Sequence, residues 1–197
     1  MSFLIGLVGE RGAGKSTVVR NLISILADQS ITTVSIKSSD LLGDALDIWG
    51  VPRTTENLQL MGRAMRDNFG DEAIPNAMDL RISESAAQVV IWDGIRWLPD
   101  ERLVRRKNPS SIIYVTAPME ERFLRISKRT EKAEEISGSR VTLSEFQKIE
   151  SESNEAFVPE IGSRADFVIQ NAGNEQELNQ SARNILAAME IANNLHG

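Results

Sequence analysis

Residues 9–17 read Gly-Glu-Arg-Gly-Ala-Gly-Lys-Ser-Thr and match the pattern G-x-x-x-x-G-K-[ST], in which Lys15 and Ser16 fill the last two places. An apolar segment of strand character, Phe3–Val8, comes directly before this stretch. A segment with apolar residues at helical spacing follows it, from about Lys15 to Gln29. A glycine-rich turn between a buried strand and a helix is the setting in which this pattern binds phosphate groups. We therefore predict a nucleoside triphosphate site at residues 9–17, called the phosphate loop below.

The residue types in the phosphate loop suit a bound phosphate chain. Glycines allow the backbone to turn tightly, so that successive N–H groups point toward an anion. The helix that follows adds unpaired N–H donors and the positive end of its dipole. We expect Lys15 to reach the outer phosphates, Ser16 to bind Mg²⁺ and Thr17 to bond an inner phosphate. The alternative is a glycine-rich turn without a ligand. The residues predicted to bind the nucleotide here are Gly9, Gly12, Ala13, Gly14, Lys15, Ser16 and Thr17.

Length and composition narrow the class of protein. The chain has 197 residues, of which 41% are hydrophobic, and this suits a single domain over residues 1–197. Its net charge of −6 argues against a nucleic-acid partner. It has no cysteine, so we expect neither a disulfide framework nor a thiolate metal site. No apolar run is long enough for a signal peptide or a membrane span. We expect a cytoplasmic protein with a small-molecule partner and no membrane association, and the composition leaves its oligomeric state open.

Strand and helix patterns alternate along the chain, which indicates an α/β fold with a parallel sheet covered by helices on both faces. Two segments interrupt the alternation: a long helical stretch at 38–87 and a short polar, basic stretch at 129–141. Both can lie at the carboxyl ends of the strands, where ligands bind in such sheets. We predict that the first is a helical acceptor-binding insert and the second a short lid. The predicted strands are Phe3–Val8, Thr32–Ile36, Val89–Trp92, Ser111–Val115 and Asp166–Ile169.

Two acidic residues follow predicted strands. Asp93 ends the third strand, where its carboxylate could hold the water shell of Mg²⁺ or face an acceptor; the alternative is a cap on the next helix. Asp40 follows the second strand, where it could act as a base toward an attacking hydroxyl; the alternative is a helix N-cap. Arg96, three residues after Asp93, could reach an anion at the same edge or be a surface arginine.

Arginines occur in both of the interrupting segments. Arg63 and Arg66 share one helical face, and Arg53 stands just before that helix, so these three residues suggest a second anionic ligand. Arg122, Arg125 and Arg129 recur at helical spacing and form a basic stripe that leads into the polar stretch. A lid that carries cations over a triphosphate would stabilise charge during phosphoryl transfer. The alternative for each arginine is a solvated surface charge.

With these residues in place, the chain resembles the nucleoside-monophosphate-kinase branch of P-loop kinases over nearly its whole length. Asp93-Gly94-Ile95-Arg96 is similar to the Asp-Gly-x-x-Arg of adenylate kinases, although one residue shorter. The segment at 165–173 resembles the ending of dephospho-coenzyme-A kinases and deoxynucleoside-monophosphate kinases. The resemblance implies a five-stranded P-loop sheet with strand order 2-3-1-4-5. It also implies that Asn171 and Gly173 lie beside the adenine of ATP.

These observations predict a kinase that uses ATP and Mg²⁺ to phosphorylate a nucleotide-like acceptor, which is a nucleoside monophosphate, a deoxynucleoside monophosphate or dephospho-coenzyme A. The alternative is a P-loop ATPase or nucleotide switch that acts through a protein partner. The catalytic candidates are Lys15, Asp40, Asp93, Arg125 and Arg129, and the metal ligands are Ser16 and Asp93. The acceptor candidates are Asp40, Arg53, Arg63, Arg66 and Arg96.

Overall fold

A computed structural model of the chain describes residues 2–134, 142–152 and 156–191, with the backbone alone at 129–134 and 148–152. Five strands form one parallel sheet in the order β2-β3-β1-β4-β5, which confirms the predicted topology. The predicted strand bounds agree to within a residue or two. The strands are β1 (Phe3–Gly9), β2 (Thr33–Ile36), β3 (Val89–Asp93), β4 (Ser110–Thr116) and β5 (Phe167–Gln170).

Helices connect successive strands and cover both faces of the sheet. Three of them, α2 to α4, lie between β2 and β3, where the sequence predicts one long helical stretch. In the described ranges the helices are α1 (Lys15–Asp28), α2 (Ser38–Ile48), α3 (Thr55–Phe69), α4 (Ala73–Glu84), α5 (Leu98–Arg106), α6 (Met119–Glu134), α7 (Leu143–Glu152), α8 (Val158–Ser163) and α9 (Glu175–Ala188).

The central strand β1 is buried along its whole length because helices pack on both of its faces. Alternate side chains of a strand point to opposite faces. Phe3, Ile5 and Leu7 therefore join one apolar cluster, which α1 and α9 cover. Leu4 and Val8 join a second cluster, which α4, α5 and α8 cover. This two-sided burial holds the end of β1 rigidly, and the phosphate loop begins there.

Local capping signals define the helix ends near the predicted insert and lid. The Thr54 hydroxyl accepts a hydrogen bond of 3.1 Å from the amide of Asn57 at the start of α3. Gly70, at φ 87°, follows the end of α3, where glycine commonly ends a helix. A capping box begins α7, since the Thr142 amide donates to Glu145 Oε2 at 2.7 Å and the Glu145 amide donates to the Thr142 hydroxyl at 3.3 Å. The predicted lid, 129–141, lies outside the described residues except for the backbone at 129–134.

Candidate functional site

The phosphate loop leaves β1 in a conformation that favours glycine. Gly12 and Gly14 have φ values of 80° and 97°, in the left-handed region that side chains disfavour. At Gly14 there is also no room for a side chain, because a Cβ atom there would lie 2.2 Å from Nδ2 of Asn171. The loop closes on itself through a 3.1 Å bond from the Ala13 amide to the Glu10 carbonyl. The structure thus has the tight turn and the following helix that an anion-binding loop requires.

Asn171, which follows β5, ties three elements together next to the loop. Its side-chain Nδ2 donates to the Ala13 carbonyl at 2.8 Å, and its amide donates to the Thr116 carbonyl at 2.7 Å. Its own carbonyl accepts a 2.7 Å bond from Arg125. The structure therefore gives Asn171 a contact with the phosphate loop itself. Gly173 lies in the exposed turn between β5 and α9, and the adenine contact of both residues stays a prediction.

Two arginines of α6 lie against the loop. Arg122 is buried and donates from Nε to the Ala117 carbonyl at 3.0 Å and from Nη1 to the Arg11 carbonyl at 3.4 Å, so it supports the loop backbone. Arg125 lies beside the loop, with Nη1 3.9 Å from the position of a Cβ on Gly14. This Nη1 is buried and has no hydrogen-bond partner within the described part of the chain. Arg125 thus presents an unsatisfied cationic donor next to the loop. Arg129 is part of α6, but its side chain lies outside the described residues.

Glu10 is a loop residue whose role the sequence did not suggest. Its Oε1 accepts hydrogen bonds from the hydroxyls of Tyr114 and, at 3.4 Å, Thr116, both on β4. Its Oε2 is buried without a hydrogen-bond partner in the ranges described. Burial, and then the bond to this carboxylate, raise the pKa of the Tyr114 hydroxyl above its usual value. Lys15 donates to the carbonyls of Gly9 and, at 3.0 Å, Glu10, so its ammonium is held close to the loop.

The carboxyl ends of β2, β3 and β1 bring the next groups together. Asp93 ends β3 as predicted, and its buried carboxylate forms an ion pair of 3.3 Å with Lys37, the residue just after β2. Trp92 donates from Nε1 to the Ser38 hydroxyl at 3.1 Å, which fixes the start of α2 against β3. Lys37 was not among the predicted site residues. Its position beside Asp93 could have been predicted, because the predicted strand order makes β2 and β3 neighbours and Lys37 follows β2 directly.

One cavity of about 400 Å³ joins the phosphate loop to the helical insert. Of the predicted site residues it contains Lys15 and Ser16 of the loop, Asp93 and Arg96 after β3, and Arg66 of α3. The rest of the wall combines apolar residues of α2, α3 and α4 and a few hydroxyl and amide groups with the charged side chains of Lys37, Asp71 and Asp100. The lining residues are Lys15, Ser16, Lys37, Ser38, Ser39, Leu42, Thr55, Leu58, Gln59, Gly62, Arg66, Asp71, Ile74, Pro75, Asp93, Gly94, Arg96, Trp97 and Asp100.

Arg66 and Trp97 form a stacked pair in the wall of this cavity. The guanidinium carbon of Arg66 lies 4.2 Å from the centroid of the Trp97 ring. Such a cation–π contact fixes the guanidinium while leaving its N–H donors available. Phe157 also packs against the Trp97 ring, with ring centroids 5.5 Å apart. The pair links α3 to the turn after β3.

Asp100 is a buried carboxylate that shapes the same turn. Its Oδ2 accepts hydrogen bonds from the amides of Arg96, at 3.0 Å, and Trp97, at 3.1 Å. Burial raises its pKa to about 6, and the two amides and the nearby arginines oppose that rise. Asp100 therefore sets the positions of Arg96 and Trp97 at the cavity wall. This role of Asp100 could not be predicted from the residue pattern, because it depends on the fold of the turn.

Three predicted acceptor residues do not line the cavity. Arg53 is exposed and donates to Asp44 at 2.7 Å and from Nε to Asp47 at 2.9 Å. Arg63 is exposed on α3. Asp40 is exposed in the first turn of α2. The N-cap of that helix is Lys37, so the capping alternative for Asp40 is wrong. A carboxylate in the first helical turn still interacts favourably with the helix dipole.

Two properties of the described residues bear on metal binding and membrane association. Within 2–134, 142–152 and 156–191, no group of three acidic or histidine side chains could hold a metal ion by itself. Mg²⁺ at phosphate sites is commonly held by one or two protein oxygens together with the phosphates, so Ser16 and Asp93 stay predicted ligands. No helix in the same ranges has the length and apolar character needed to cross a membrane.

The sheet order and the loop together define the P-loop kinase fold, and solved structures of such kinases are similar to this chain. A shikimate kinase from Bacteroides thetaiotaomicron is 13% identical with a TM-score of 0.59, covering 95% of this chain and 98% of its own. A sugar kinase from a Janibacter species is 18% identical with a TM-score of 0.51, covering 98% of this chain and 97% of its own. At these identities the similarity establishes the fold alone.

Curated proteins with a similar sequence are named UPF0200 proteins. One from Thermococcus sibiricus is 28% identical over 187 residues, which is 92% of this chain and 91% of that protein. One from Methanocaldococcus jannaschii is 28% identical over 194 residues, which is 98% of this chain and 92% of that protein. No protein-family model matches the chain.

Proposed function

We propose that this chain is a kinase that transfers the terminal phosphoryl group of ATP, with Mg²⁺, to a small nucleotide-like acceptor with an anionic group. The observation that carries the proposal is a cavity that both the phosphate loop and the helical insert line. A phosphoryl transfer requires donor and acceptor side by side, and this cavity has cationic groups at both of its ends. Lys15 belongs to the donor end, and Arg66 and Arg96 to the acceptor end.

At the donor end, two features support a bound triphosphate. The loop backbone turns through two left-handed glycines, Gly12 and Gly14, into the start of α1. Beside it, Arg125 keeps a buried N–H donor without a partner in the described ranges, and phosphate oxygens are acceptors that match such a donor. The ammonium of Lys15 is already at the loop and needs only to exchange carbonyl oxygens for phosphate oxygens.

The residues present also fit Mg²⁺. The Ser16 hydroxyl and the Asp93 carboxylate are hard oxygen donors that line the same cavity. The Lys37 ammonium beside Asp93 is evidence that a cation is stable at that carboxylate. When bound, Mg²⁺ would neutralise charge that develops on the transferred phosphoryl group. In this proposal Ser16 and Asp93 hold it.

At the acceptor end, Arg66 and Arg96 are suited to an anionic group, because guanidinium groups bind phosphate or carboxylate oxygens in pairs. The stack on Trp97 holds Arg66 in position before any ligand binds, which lowers the cost of binding. The apolar side chains in the wall can contact the body of the acceptor. Phosphoryl transfer proceeds through a loose transition state with little need for a strong base. The attacking oxygen of the acceptor is a phosphate oxygen in a nucleoside monophosphate and a hydroxyl oxygen in dephospho-coenzyme A. Asp40, which lies outside the cavity, is therefore not required as a base.

An acceptor panel tests this function. The chain is incubated with ATP and Mg²⁺ and with nucleoside monophosphates, deoxynucleoside monophosphates, dephospho-coenzyme A, shikimate or simple sugars, and ADP release is followed. We expect release that depends on a phosphorylated acceptor. If ADP release depends on no acceptor, the proposal fails, and the P-loop ATPase acting through a protein partner takes its place. If shikimate or a sugar is the best acceptor, the proposed nucleotide-like acceptor is wrong, while the proposed kinase activity is retained.

A further inference from the structure

Asp93 and Lys37 differ sharply in their freedom to move. The side chain of Asp93 is 6% exposed and that of Lys37 is 44% exposed. Asp93 ends a strand that is paired with β1 on one side and β2 on the other, so its carboxylate is fixed. A buried carboxylate needs a partner, because the lost hydration of its charge is otherwise not offset. Lys37 supplies that positive charge from a flexible side chain.

Strand register explains why these two residues meet. Ile36, the last residue of β2, pairs with Trp92 of β3, so the next positions along the two strands are Lys37 and Asp93. The bond from Trp92 to Ser38 then holds the beginning of α2 in place. The ion pair is therefore set by the backbone of two neighbouring strands.

The proposed metal site needs the same carboxylate. Asp93 faces the cavity with Ser16 and Lys37, so a metal ion bound to Asp93 would lie close to the Lys37 ammonium. Two cations at such short distances repel each other. Resting on the proposed function, we infer that Lys37 is a placeholder cation, which pairs with Asp93 in the metal-free protein and leaves it when Mg²⁺ and the nucleotide bind. The 44% exposure of Lys37 allows this exchange without a change in the backbone.

Competition between two cations has a measurable consequence. Removing the placeholder should make Mg²⁺ bind more readily, because the metal no longer has to displace Lys37. We expect the Mg²⁺ concentration at half-saturation of ADP binding to fall by about two- to tenfold in Lys37→Met, the range of a partly exposed ion pair. The measurement is calorimetric titration of ADP at a series of Mg²⁺ concentrations, so it needs no acceptor and no turnover.

Matched variants separate this exchange from a general charge effect. Lys107→Met removes the same charge from an ion pair with Asp79, near the amino end of β4 and away from the phosphate loop. It should keep the wild-type Mg²⁺ dependence, as should Lys37→Arg, which retains a cation. Melting temperatures without ligand check that each variant folds. Lys37→Gln repeats the test if the methionine variant is unstable, and the same fall is expected.

The outcomes distinguish the inference from the function on which it rests. A Mg²⁺ requirement that is unchanged or higher in folded Lys37→Met and Lys37→Gln overturns the placeholder role alone. A wild-type chain that binds no ADP at any Mg²⁺ concentration overturns the proposed function and the placeholder role together. A fall of equal size in Lys107→Met also overturns the role, because it would then reflect net charge.

Discussion

At the scale of single residues, the Tyr114 hydroxyl donates to Glu10 of the phosphate loop and, together with the longer bond from Thr116, holds this side chain against β4. Its bond to Oε1 is made to a carboxyl group whose other oxygen is buried and unpaired in the described structure. Tyr114→Phe should therefore lower the free energy of unfolding by about 1 to 3 kcal/mol. It should also weaken nucleotide binding, since Glu10 belongs to the loop. Urea denaturation and ADP titration measure the two effects, and a variant that matches the wild type in both would contradict this role.

The raised pKa of Tyr114 adds a pH dependence with a definite sign. In the folded chain the pKa of this hydroxyl lies above its usual value of 10.0, so the hydroxyl keeps its proton at a pH where an ordinary tyrosine begins to lose it. The unfolded chain loses that proton first, so stability is complete below about pH 10 and declines as the pH rises further. In Tyr114→Phe this part of the decline should be absent. Unfolding free energies between pH 8 and pH 11, roughly the range around that pKa, provide the comparison.

Arg66 and Trp97 permit a test of the acceptor end. Arg66→Ala should raise the KM for the acceptor by about tenfold or more, because it removes a charged hydrogen-bond donor, and it should leave the affinity for ATP close to the wild type. Trp97→Phe keeps an aromatic face for Arg66 and should have a smaller effect than Trp97→Leu. Arg63→Ala is the matched control, since Arg63 is exposed on the same helix outside the cavity. Equal effects of Arg63→Ala and Arg66→Ala would reject Arg66 as an acceptor contact.

At the scale of elements, the beginning of α5 depends on Asp100. Its pKa rises from 3.8 to about 6 because it is buried. The folded chain therefore holds the proton more tightly than the unfolded chain, and stability falls as the pH rises from about 4 to about 6. Asp100→Asn should lack this fall, which we expect to reach about 2 to 3 kcal/mol for a shift of roughly two pKa units. Urea denaturation at pH 4, 5 and 6, roughly spanning the two pKa values, measures it, and equal slopes for both proteins would contradict the account.

Elements with a local signal could be predicted from the sequence, and contacts between elements could not. The glycine pattern at 9–17 and the apolar runs around it are local, so β1, the loop and α1 could be predicted with their bounds. The contact of Glu10 with Tyr114 joins two different elements, and so does the ion pair of Lys37 with Asp93. They follow from strand order and register. Arg53 shows the reverse case, because its charge suggested an anionic ligand and the folded α2 provides Asp44 and Asp47 as its partners.

At the scale of the whole molecule, the fold explains why the groups proposed to act in catalysis lie far apart in the sequence and close together in space. The order β2-β3-β1 brings the carboxyl ends of three strands to one edge of the sheet. The loop follows β1, Asp93 ends β3, and α2 begins after β2. The three helices between β2 and β3 then close the cavity opposite the loop. Parallel sheets commonly bind ligands at this edge.

The most direct measurement of the central claim is the mass of the acceptor after incubation with ATP and Mg²⁺. We expect the wild-type chain to add one phosphoryl group to a member of the acceptor panel. Lys15→Ala should lower kcat by about 100-fold or more while the protein stays folded, because the cation at the transferred phosphate is lost. The Lys107→Ala variant, which removes a lysine far from the loop, should match the wild type. An acceptor that gains no phosphoryl group, or one that gains it equally with Lys15→Ala, would contradict the account.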